Sequence, residues 1–349
     1  MIAITLYDLR YRARQFLIAV IGAALLFSLS LLLSGLADSY PAEARRVVAR
    51  VGADAWVVPA GSSGPFTSFG IIPADGLQLV SGLAGVTRAD PLVIAAESVR
   101  VGGTLKSAVV IGHVAGGLGE APLSSGRQAS TRGEAVVDAS LHARLGSSLL
   151  VQSTPLTVVG ITHGESIDAG YPIVLLQIDD ARSLVLGGQA VQNAVATRGT
   201  PVGLPAGLRA MSNAQVRADA LRPLQTPLQT LRASRTAMWV IAALIVAALL
   251  YVSALERVRD FAVLKSLGAT SVALFVGIAA QAVIVTVVAA IVAAPAANLL
   301  KPLLFPQAFG IPTSAYVILP AIAVLIGLVS SLIGLRRATS ADPSLAFGR

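Results

Sequence analysis

The sequence predicts a membrane protein with four transmembrane α-helices and a large α+β extracytoplasmic domain inserted between helices 1 and 2. The first observation is compositional: 55% of the 349 residues are hydrophobic and 13% are charged, whereas soluble domains carry roughly 25% charged residues. The second is the position of the long uncharged runs, one near the N-terminus and three near the C-terminus. The third is the intervening segment, residues 38–235, in which short β-branched runs alternate with glycine and proline.

The N-terminal residues show a helical pattern. Within residues 1–15, the apolar side chains of Ile2, Leu6 and Leu9 recur at helical spacing beside several arginines, which predicts an amphipathic helix lying in the membrane interface. Residues 16–37 follow without a charge, and this run of 22 residues is longer than the apolar region of a typical signal peptide. We therefore expect an uncleaved first transmembrane helix rather than a signal peptide.

Three further uncharged runs predict transmembrane helices 2, 3 and 4, because a spanning helix needs about 20 apolar residues. We place these helices at residues 236–255, 272–300 and 315–335. Pro295 should kink the third helix, since proline has no N–H to donate within the helix. Residues 301–314 are expected to form a short outer loop, because Pro302, Pro306 and Pro312 cannot continue a helix.

The distribution of basic residues predicts the orientation in the cell membrane, because short cytoplasmic segments carry an excess of lysine and arginine. Nine basic residues fall in the N-terminal segment, the 256–271 loop and the tail at 336–349, and one falls in the other short loop. The nine are Arg10, Arg12, Arg14, Arg257, Arg259, Lys265, Arg336, Arg337 and Arg349, and the one is Lys301. Both termini and the 256–271 loop are therefore predicted to be cytoplasmic, and residues 38–235 extracytoplasmic.

Residues 38–235 carry the patterns of an α+β domain with a mixed sheet. Strands are predicted at residues 55–58, 91–101, 107–111, 135–137, 156–161 and 173–176. Short helices are predicted at residues 73–81, 140–144 and 179–186. Gly102 and Gly103 predict the turn of a β-hairpin, because a Gly-Gly pair readily adopts positive backbone angles. Asp179 is expected to cap the helix that follows it.

Two connectors are expected to form stalk helices at both ends of this domain. Residues 42–51 can extend the first transmembrane helix, with their arginines, Arg50 among them, on its polar side. Leucines recur at helical spacing over residues 221–231, a seam typical of packed helices. Because Pro223 and Pro227 lie within this seam, it cannot be one ideal helix.

The residues offer no catalytic or metal-binding constellation. Cysteine is absent, which excludes disulfide bonds and thiolate metal sites. His113, His142 and His163 are far apart, and none lies in an H-E-x-x-H motif. Glu165 and Asp168 are candidates for a carboxylate pair, but no other catalytic group accompanies them. No G-x-x-x-x-G-K-[ST] loop occurs, so we expect a non-catalytic chain that binds no ATP, cofactor or metal itself.

The predicted transmembrane helices contain no Asp, Glu, Lys, Arg or His side chain. A proton- or ion-coupled transporter usually keeps at least one within the bilayer, so the energy for any transport must come from elsewhere. Gln281 and Asn298 are strongly polar and more often form interhelical hydrogen bonds than substrate contacts. Pairs of small residues four apart, Ser30 with Ser34 and Gly327 with Ser331, predict close helix contact. Four helices are too few to enclose a substrate pathway, so we expect a dimer.

The net charge of +8 is distributed among apolar helices. Arginine in this setting is better explained by attraction to the anionic headgroups of the lipid bilayer than by nucleic-acid binding. We therefore expect no nucleic-acid partner.

Residues 256–270 carry the most specific motif of the chain. They read Glu-Arg-Val-Arg-Asp-Phe-Ala-Val-Leu-Lys-Ser-Leu-Gly-Ala-Thr. This segment resembles the loop between transmembrane helices two and three of the FtsX-like (MacB-type, type VII) permeases, a family of ABC-transporter subunits that also includes the lipoprotein-release permeases. Weaker similarity at residues 336–343, 133–137 and 157–161 extends the resemblance over nearly the whole chain. One departure is Asp260, where the family more often has glutamate.

In that family the loop forms a coupling helix that docks on the ATPase subunit. The resemblance implies that the residues at this contact are Glu256, Arg257, Asp260, Phe261, Leu264, Lys265 and Gly268. It further implies an ABC ATPase partner that binds ATP and Mg, and a second permease copy in a homo- or heterodimer. ATP hydrolysis by the partner would then drive export, extraction or mechanotransmission. Drugs, lipids, lipoproteins and peptides all stay open as substrates.

Two other functions stay open. The outer domain could activate an extracytoplasmic cell-wall hydrolase, which would make the chain a non-transport regulator with an envelope enzyme or binding protein as its partner. The chain could also be a ligand sensor that works without an ATPase, although the match at residues 256–270 disfavours this interpretation.

Overall fold

The computed structural model describes residues 13–167, 170–256, 263, 270–304 and 310–339. The α-helices in these ranges are α1 (Ala13–Val51), α2 (Ala74–Ser81), α3 (Ile178–Val185), α4 (Asn213–Ala220), α5 (Gln225–Glu256), α6 (Ser271–Leu304) and α7 (Thr313–Thr339). The chain divides into two compact units, one formed from Met1–Asp38 with Pro227–Arg349 and the other from Ser39–Thr226.

Within the described ranges, four helices are long and apolar enough to cross a membrane: α1, α5, α6 and α7. They pack around a core that is rich in alanine, with larger side chains such as Phe27, Leu32 and Leu250 between them. A sheet domain lies between α1 and α5 in the sequence. The predicted fold class, four apolar helices with an α+β domain inserted between the first and the second, is therefore confirmed.

Helices α6 and α7 approach each other closely at Gly327. A Cβ atom added there would lie 2.9 Å from the Cα atom of Val283 and 2.9 Å from Oγ1 of Thr286. Near the start of α7, at a separate point along the same two helices, Nδ2 of Asn298 donates a hydrogen bond to the Tyr316 hydroxyl at 3.3 Å. The predicted small-residue contact at Gly327 and the predicted interhelical hydrogen bond of Asn298 are both confirmed. Such contacts matter because lipid removes the hydrophobic drive for helices to associate.

The end of α6 differs from the prediction. The helix continues through Pro295 and Pro302 to Leu304, so the prediction that Pro302 marks the turn is wrong. A helical proline lacks one hydrogen-bond donor and its ring crowds the preceding turn. At Pro302 this costs one hydrogen bond, and the helix still continues for two more residues. Pro306 lies outside the described residues, and the kink at Pro295 stays a prediction.

Helices α1 and α5 extend beyond their uncharged runs. Helix α1 has 39 residues, about 58 Å at a rise of 1.5 Å per residue, whereas the hydrocarbon core of a bilayer is about 30 Å thick. It includes residues 42–51. Helix α5 begins at Gln225, so Pro227 lies in its first turn, and residues 221–224 separate it from α4. The interruption predicted from Pro223 is present.

The second unit is a mixed sheet with short helices. Its strands are β1 (Ala55–Pro59), β2 (Arg88–Val101), β3 (Thr104–His113), β4 (Ser125–Gly126), β5 (Glu134–Asp138), β6 (Ser148–Val151), β7 (Thr154–Thr162), β8 (Ser166–Ile167), β9 (Tyr171–Gln177), β10 (Ala194–Arg198) and β11 (Leu208–Ser212). Their order is β11-β1-β10-β2-β3-β9-β5-β7-β4, with β6 beside β2 and β7, and β8 beside β9. The pairs β3–β9 and β5–β7 are parallel, and the other pairs are antiparallel.

The hairpin predicted at Gly102 and Gly103 is confirmed. Val101 pairs with Thr104, and the two glycines between them have φ angles of 54° and 86°. Positive φ at both central residues gives the turn a twist that matches that of the flanking strands. Only glycine adopts these angles without a steric cost from Cβ.

Two local predictions in this unit are wrong. Asp179 does not cap α3, since the N-cap position belongs to Gln177 and Asp179 lies in the first turn, with Oδ1 3.3 Å from the Arg182 guanidinium. The helix predicted at residues 140–144 is a single 3₁₀ turn at Ala139–Leu141, capped by Asp138. A left-handed His142 ends this turn, and such a conformation cannot continue a helix.

Candidate functional site

The predicted ATPase contact lies between α5 and α6. Helix α5 ends at Glu256, which is exposed, and α6 begins at Ser271. Within the connection, Val263 is helical and 47% exposed. The other predicted contact residues lie outside the described residues: Arg257, Asp260, Phe261, Leu264, Lys265 and Gly268. Their role as a contact stays a prediction.

A cluster of polar side chains lies at the other end of the apolar part of α5. The guanidinium carbon of Arg235 is 5.1 Å from the centre of the Trp239 ring, a geometry typical of a cation–π contact. Nη1 of Arg235 donates to the Ser34 hydroxyl at 3.3 Å. Nε1 of Trp239 donates to the Ser30 hydroxyl at 2.6 Å. The two serines predicted to favour helix contact therefore also bind polar side chains of α5.

A cavity of about 110 Å³ lies beside this cluster. Its wall is formed by α1, α5 and the first turns of α7. The residues that line it are Ser30, Leu31, Ser34, Asp38, Arg235, Trp239, Ser314, Ala315, Ile318, Leu319 and Ile322. The cavity thus combines one cation, one carboxylate and three hydroxyl groups with apolar side chains.

The second unit contains a buried ion pair that joins the end of α1 to the sheet. Nε of Arg50 lies 2.7 Å from Oε2 of Glu165, and the two side chains are 5% and 10% exposed. Nη1 of Arg50 also donates to the Gly119 carbonyl oxygen at 3.0 Å. The prediction that the arginines of residues 42–51 lie on a polar face is wrong for Arg50. Glu165 pairs with this arginine, and Asp168 lies outside the described residues.

The electrostatic environment of Glu165 is set by burial. Burial raises the pKa of its carboxyl group, Arg50 and Arg46 lower that pKa, and Asp138 raises it. Asp138 in turn accepts a hydrogen bond from the Glu165 amide at 2.8 Å. Two turns before Arg50 on α1, the buried Glu43 accepts a hydrogen bond from the Gly170 amide at 3.3 Å. Two buried side chains of α1 therefore hold the loop around Glu165.

The histidines do not come together as a metal site. His113 is fully buried, while His142 and His163 are exposed. Burial lowers the pKa of His113, and its Nδ1 faces the Val114 carbonyl oxygen at 3.1 Å. Among the residues that the structure describes, no group of three or more potential ligands could hold a metal ion.

The comparisons with known proteins address the whole chain. The family model described as "FtsX-like permease C-terminal" matches residues 236–343. A protein of Mycobacterium bovis described as an uncharacterized ABC transporter permease is 37% identical over 348 residues, which cover 100% of this chain and 99% of that relative. A Mycobacterium tuberculosis protein of the same description is 34% identical over the same shares of both chains.

Two solved structures are similar to part of the chain. The periplasmic region of MacB from Actinobacillus actinomycetemcomitans matches with 11% identity and a TM-score of 0.35, covering 49% of this chain and 95% of that one. The extracellular domain of the noncanonic ABC-type transporter YknZ from Gram-positive bacteria matches with 11% identity and a TM-score of 0.34. This match covers 46% of this chain and 99% of that one. From the full-length relatives, the chain belongs to the ABC transporter permeases, and its C-terminal part matches the family model of the FtsX-like permeases.

Proposed function

We propose that this permease works with a separate ABC ATPase, which contacts residues 256–268 and drives export, extraction or mechanotransmission. The observation that carries the proposal is the match to ABC transporter permeases over the full chain, in a sequence that has no phosphate-binding P-loop of its own. ATP and Mg would be bound by the partner. Substrate identity is not part of the proposal.

The contact itself is assigned to the charged segment between α5 and α6. Glu256, Arg257, Asp260 and Lys265 would select and orient the ATPase, since charged rims give specificity and fast association. Phe261 and Leu264 would fill an apolar groove on it, and Gly268 would end the helix.

The orientation that follows from this contact places residues 256–271 and both termini in the cytoplasm and residues 38–235 outside. The excess of basic residues in the short segments supports it. The absence of cysteine makes the orientation simple to test, because any introduced cysteine is the sole target for a thiol reagent. With Arg100→Cys and Asp260→Cys, a membrane-impermeant maleimide added to intact cells should label the first and spare the second. Equal labelling of both would contradict the proposed orientation.

Motion at the cytoplasmic segment would reach the outer domain through the long helices. Helix α1 continues from its apolar run into the second unit, where Arg50 is paired with Glu165 in the interior. A buried, paired charge resists displacement, because separating it from its partner costs several kcal/mol. We therefore assign the ion pair the role of a rigid joint between α1 and the sheet.

Four apolar helices are too few to enclose a substrate pathway. The working assembly would therefore contain two permease chains and two ATPases. Either a second copy of this chain or a related permease fits this arrangement. Disulfide crosslinking in membranes, between cysteines introduced at exposed positions of α5, would reveal a homodimer.

The functional test is ATPase coupling. The permease is purified with a candidate ABC ATPase, and the hydrolysis rate is compared with that of the ATPase alone. Glu256→Ala combined with Phe261→Ala should remove most of the permease-dependent change in rate and weaken co-purification. Lys301→Ala, a charge change at the other membrane face, is the matched control and should leave both unchanged. The proposal fails if the double variant behaves like the control.

A further inference from the structure

The position of Arg235 along α5 places it at the level of lipid headgroups. Arg235 precedes Glu256 by 21 residues, about 32 Å along a helix, and no charged residue lies between them. The hydrocarbon core of a bilayer is about 30 Å thick, so these two residues lie at opposite faces of the core. Trp239 lies one turn deeper, where tryptophan is enriched in membrane proteins.

The guanidinium of Arg235 has donors to spare. It carries five N–H donors. Nη1 donates to Ser34, whereas Nη2 makes no hydrogen bond in the described part of the chain and is not among the atoms shielded from solvent; Nε also has no partner there but is shielded. Across that same part of the chain, no carboxylate oxygen lies within 4.0 Å of its nitrogens. A planar guanidinium matches the geometry of a phosphate group and binds it through two parallel hydrogen bonds.

The cavity beside Arg235 has the size of one polar headgroup. Its volume is about 110 Å³, and one water molecule takes about 30 Å³ of liquid, so the cavity holds the equivalent of three to four waters. It cannot hold a complete lipid, but a phosphate and its substituent fit. On α7, Ile318 lines the cavity and is 52% exposed, which gives an acyl chain an apolar surface directly below.

The carboxylate in the wall selects among headgroups. Asp38 is exposed and lines the same cavity as Arg235. It repels a second negative charge and attracts an ammonium group. A headgroup with a phosphate and a primary amine therefore matches both charges, whereas a purely anionic headgroup matches one and opposes the other.

We propose that the cavity formed by α1, α5 and α7 binds a membrane phospholipid, with the lipid phosphate on Arg235 and Ser34 and an ethanolamine-type ammonium on Asp38. This site lies at the membrane face opposite to the predicted ATPase contact. The inference does not depend on the identity of the ATPase or of any transported substrate.

The test is lipid binding to the purified full-length chain in detergent, measured by native mass spectrometry with equimolar phosphatidylethanolamine and phosphatidylglycerol. Phosphatidylethanolamine should be retained in preference. Arg235→Gln should weaken its binding about tenfold to a hundredfold, the range for losing a charge-assisted hydrogen bond. Arg235→Lys, which keeps the charge without the planar fork, should lose less. Asp38→Asn should remove the preference between the two lipids.

The matched control is Arg232→Gln, because Arg232 is exposed on the same helix and does not line the cavity. It should bind both lipids like the unaltered chain. The unfolding temperatures of all variants are compared by tryptophan emission, which reveals any folding defect in Arg235→Gln. If Arg235→Gln is defective, lipid binding by Arg235→Lys decides whether Arg235 is a ligand.

Three results would overturn the proposal. Equal lipid binding by Arg235→Gln and the unaltered chain would show that Arg235 is not a ligand. If Arg232→Gln weakened lipid binding as much as Arg235→Gln does, the effect would be a general attraction between positive charge and lipid. Displacement of the lipid by equimolar glycerophosphoethanolamine, which has the headgroup but no acyl chains, would assign the site to a soluble phosphate compound instead.

Discussion

The buried ion pair between Arg50 and Glu165 gives the sharpest stability prediction. Arg50→Met keeps an unbranched, flexible side chain but removes the guanidinium group, which leaves the Glu165 carboxylate buried without its partner. Because the two side chains are only 5% and 10% exposed, water cannot hydrate the carboxylate that has lost its partner. Breaking a buried pair in this way costs about 3–5 kcal/mol. The double variant Arg50→Met with Glu165→Leu leaves no isolated charge, and we expect it to recover most of the lost stability.

The size of the effect can be expressed as a melting temperature. In a unit of about this size, 1 kcal/mol shifts Tm by about 2–4 °C, so Arg50→Met should lower Tm by about 6–20 °C. The chain has two tryptophans, and Trp56 is fully buried in the core of the second unit. Its emission during heating of the full-length protein in detergent reports unfolding of that unit.

A control and a pH series distinguish the ion pair from general damage. Arg127 pairs with Glu134 on the surface, with the Arg127 side chain 56% exposed, so Arg127→Gln should change Tm little. Burial raises the pKa of Glu165 in the folded protein, so its contribution to stability is largest at low pH and is lost as pH rises through the folded pKa. Without Arg50, which lowers that pKa, the pKa rises further. The Tm loss of Arg50→Met should therefore shrink over the range in which pH is lowered from alkaline values through this raised pKa. A loss that is constant over this range, or equal to that of the control, would refute the ion-pair explanation.

The other predictions concern packing and turns. Gly327→Leu should weaken or prevent assembly of α6 with α7, because its Cβ would meet the Val283 backbone at 2.9 Å; a normal yield of monodisperse protein would contradict this. Asn193→Leu should cost about 2–6 kcal/mol, because its side chain both donates to and accepts from the Ile94 backbone, at 2.6 Å and 3.0 Å; Trp56 emission measures it. Gly103→Ala should cost about 1 kcal/mol, because φ is 86° there and the turn is otherwise open; an unchanged Tm would refute the turn assignment.

Local signals in the sequence predicted local structure well. The Gly102-Gly103 hairpin and the helix at Ala74–Ser81 depend on residues close together in the chain, so turn chemistry and periodicity identified them. The apolar helices were predictable for the same reason, since length and the absence of charge are properties of one segment. The motif at residues 256–270 identified the family without any tertiary information, as the full-length relatives confirm.

Features that depend on contacts between residues far apart in the sequence were not predicted. Strands β10 and β11 show little alternation of apolar and polar residues. They are held in the sheet by pairing with β1, which lies about 140 residues from β10 and about 150 residues from β11 in the chain. The pairing of Arg50 with Glu165 joins a helix to a loop 115 residues later, and that of Trp239 with Ser30 spans 209 residues. One missed element did have a local signal, because Ser212 and Gln215 form a capping box at the start of α4.

The contact between the 256–268 segment and an ATPase is the central claim, and site-specific photocrosslinking in native membranes tests it most directly. A photoreactive phenylalanine derivative replaces Phe261 in one strain and Leu105, an exposed residue of the outer hairpin, in another. The account predicts a crosslink from position 261 to an ABC ATPase, identified by mass spectrometry, and none from position 105. No crosslink from position 261 while permease and ATPase still co-purify, or a crosslink from position 105, would contradict it.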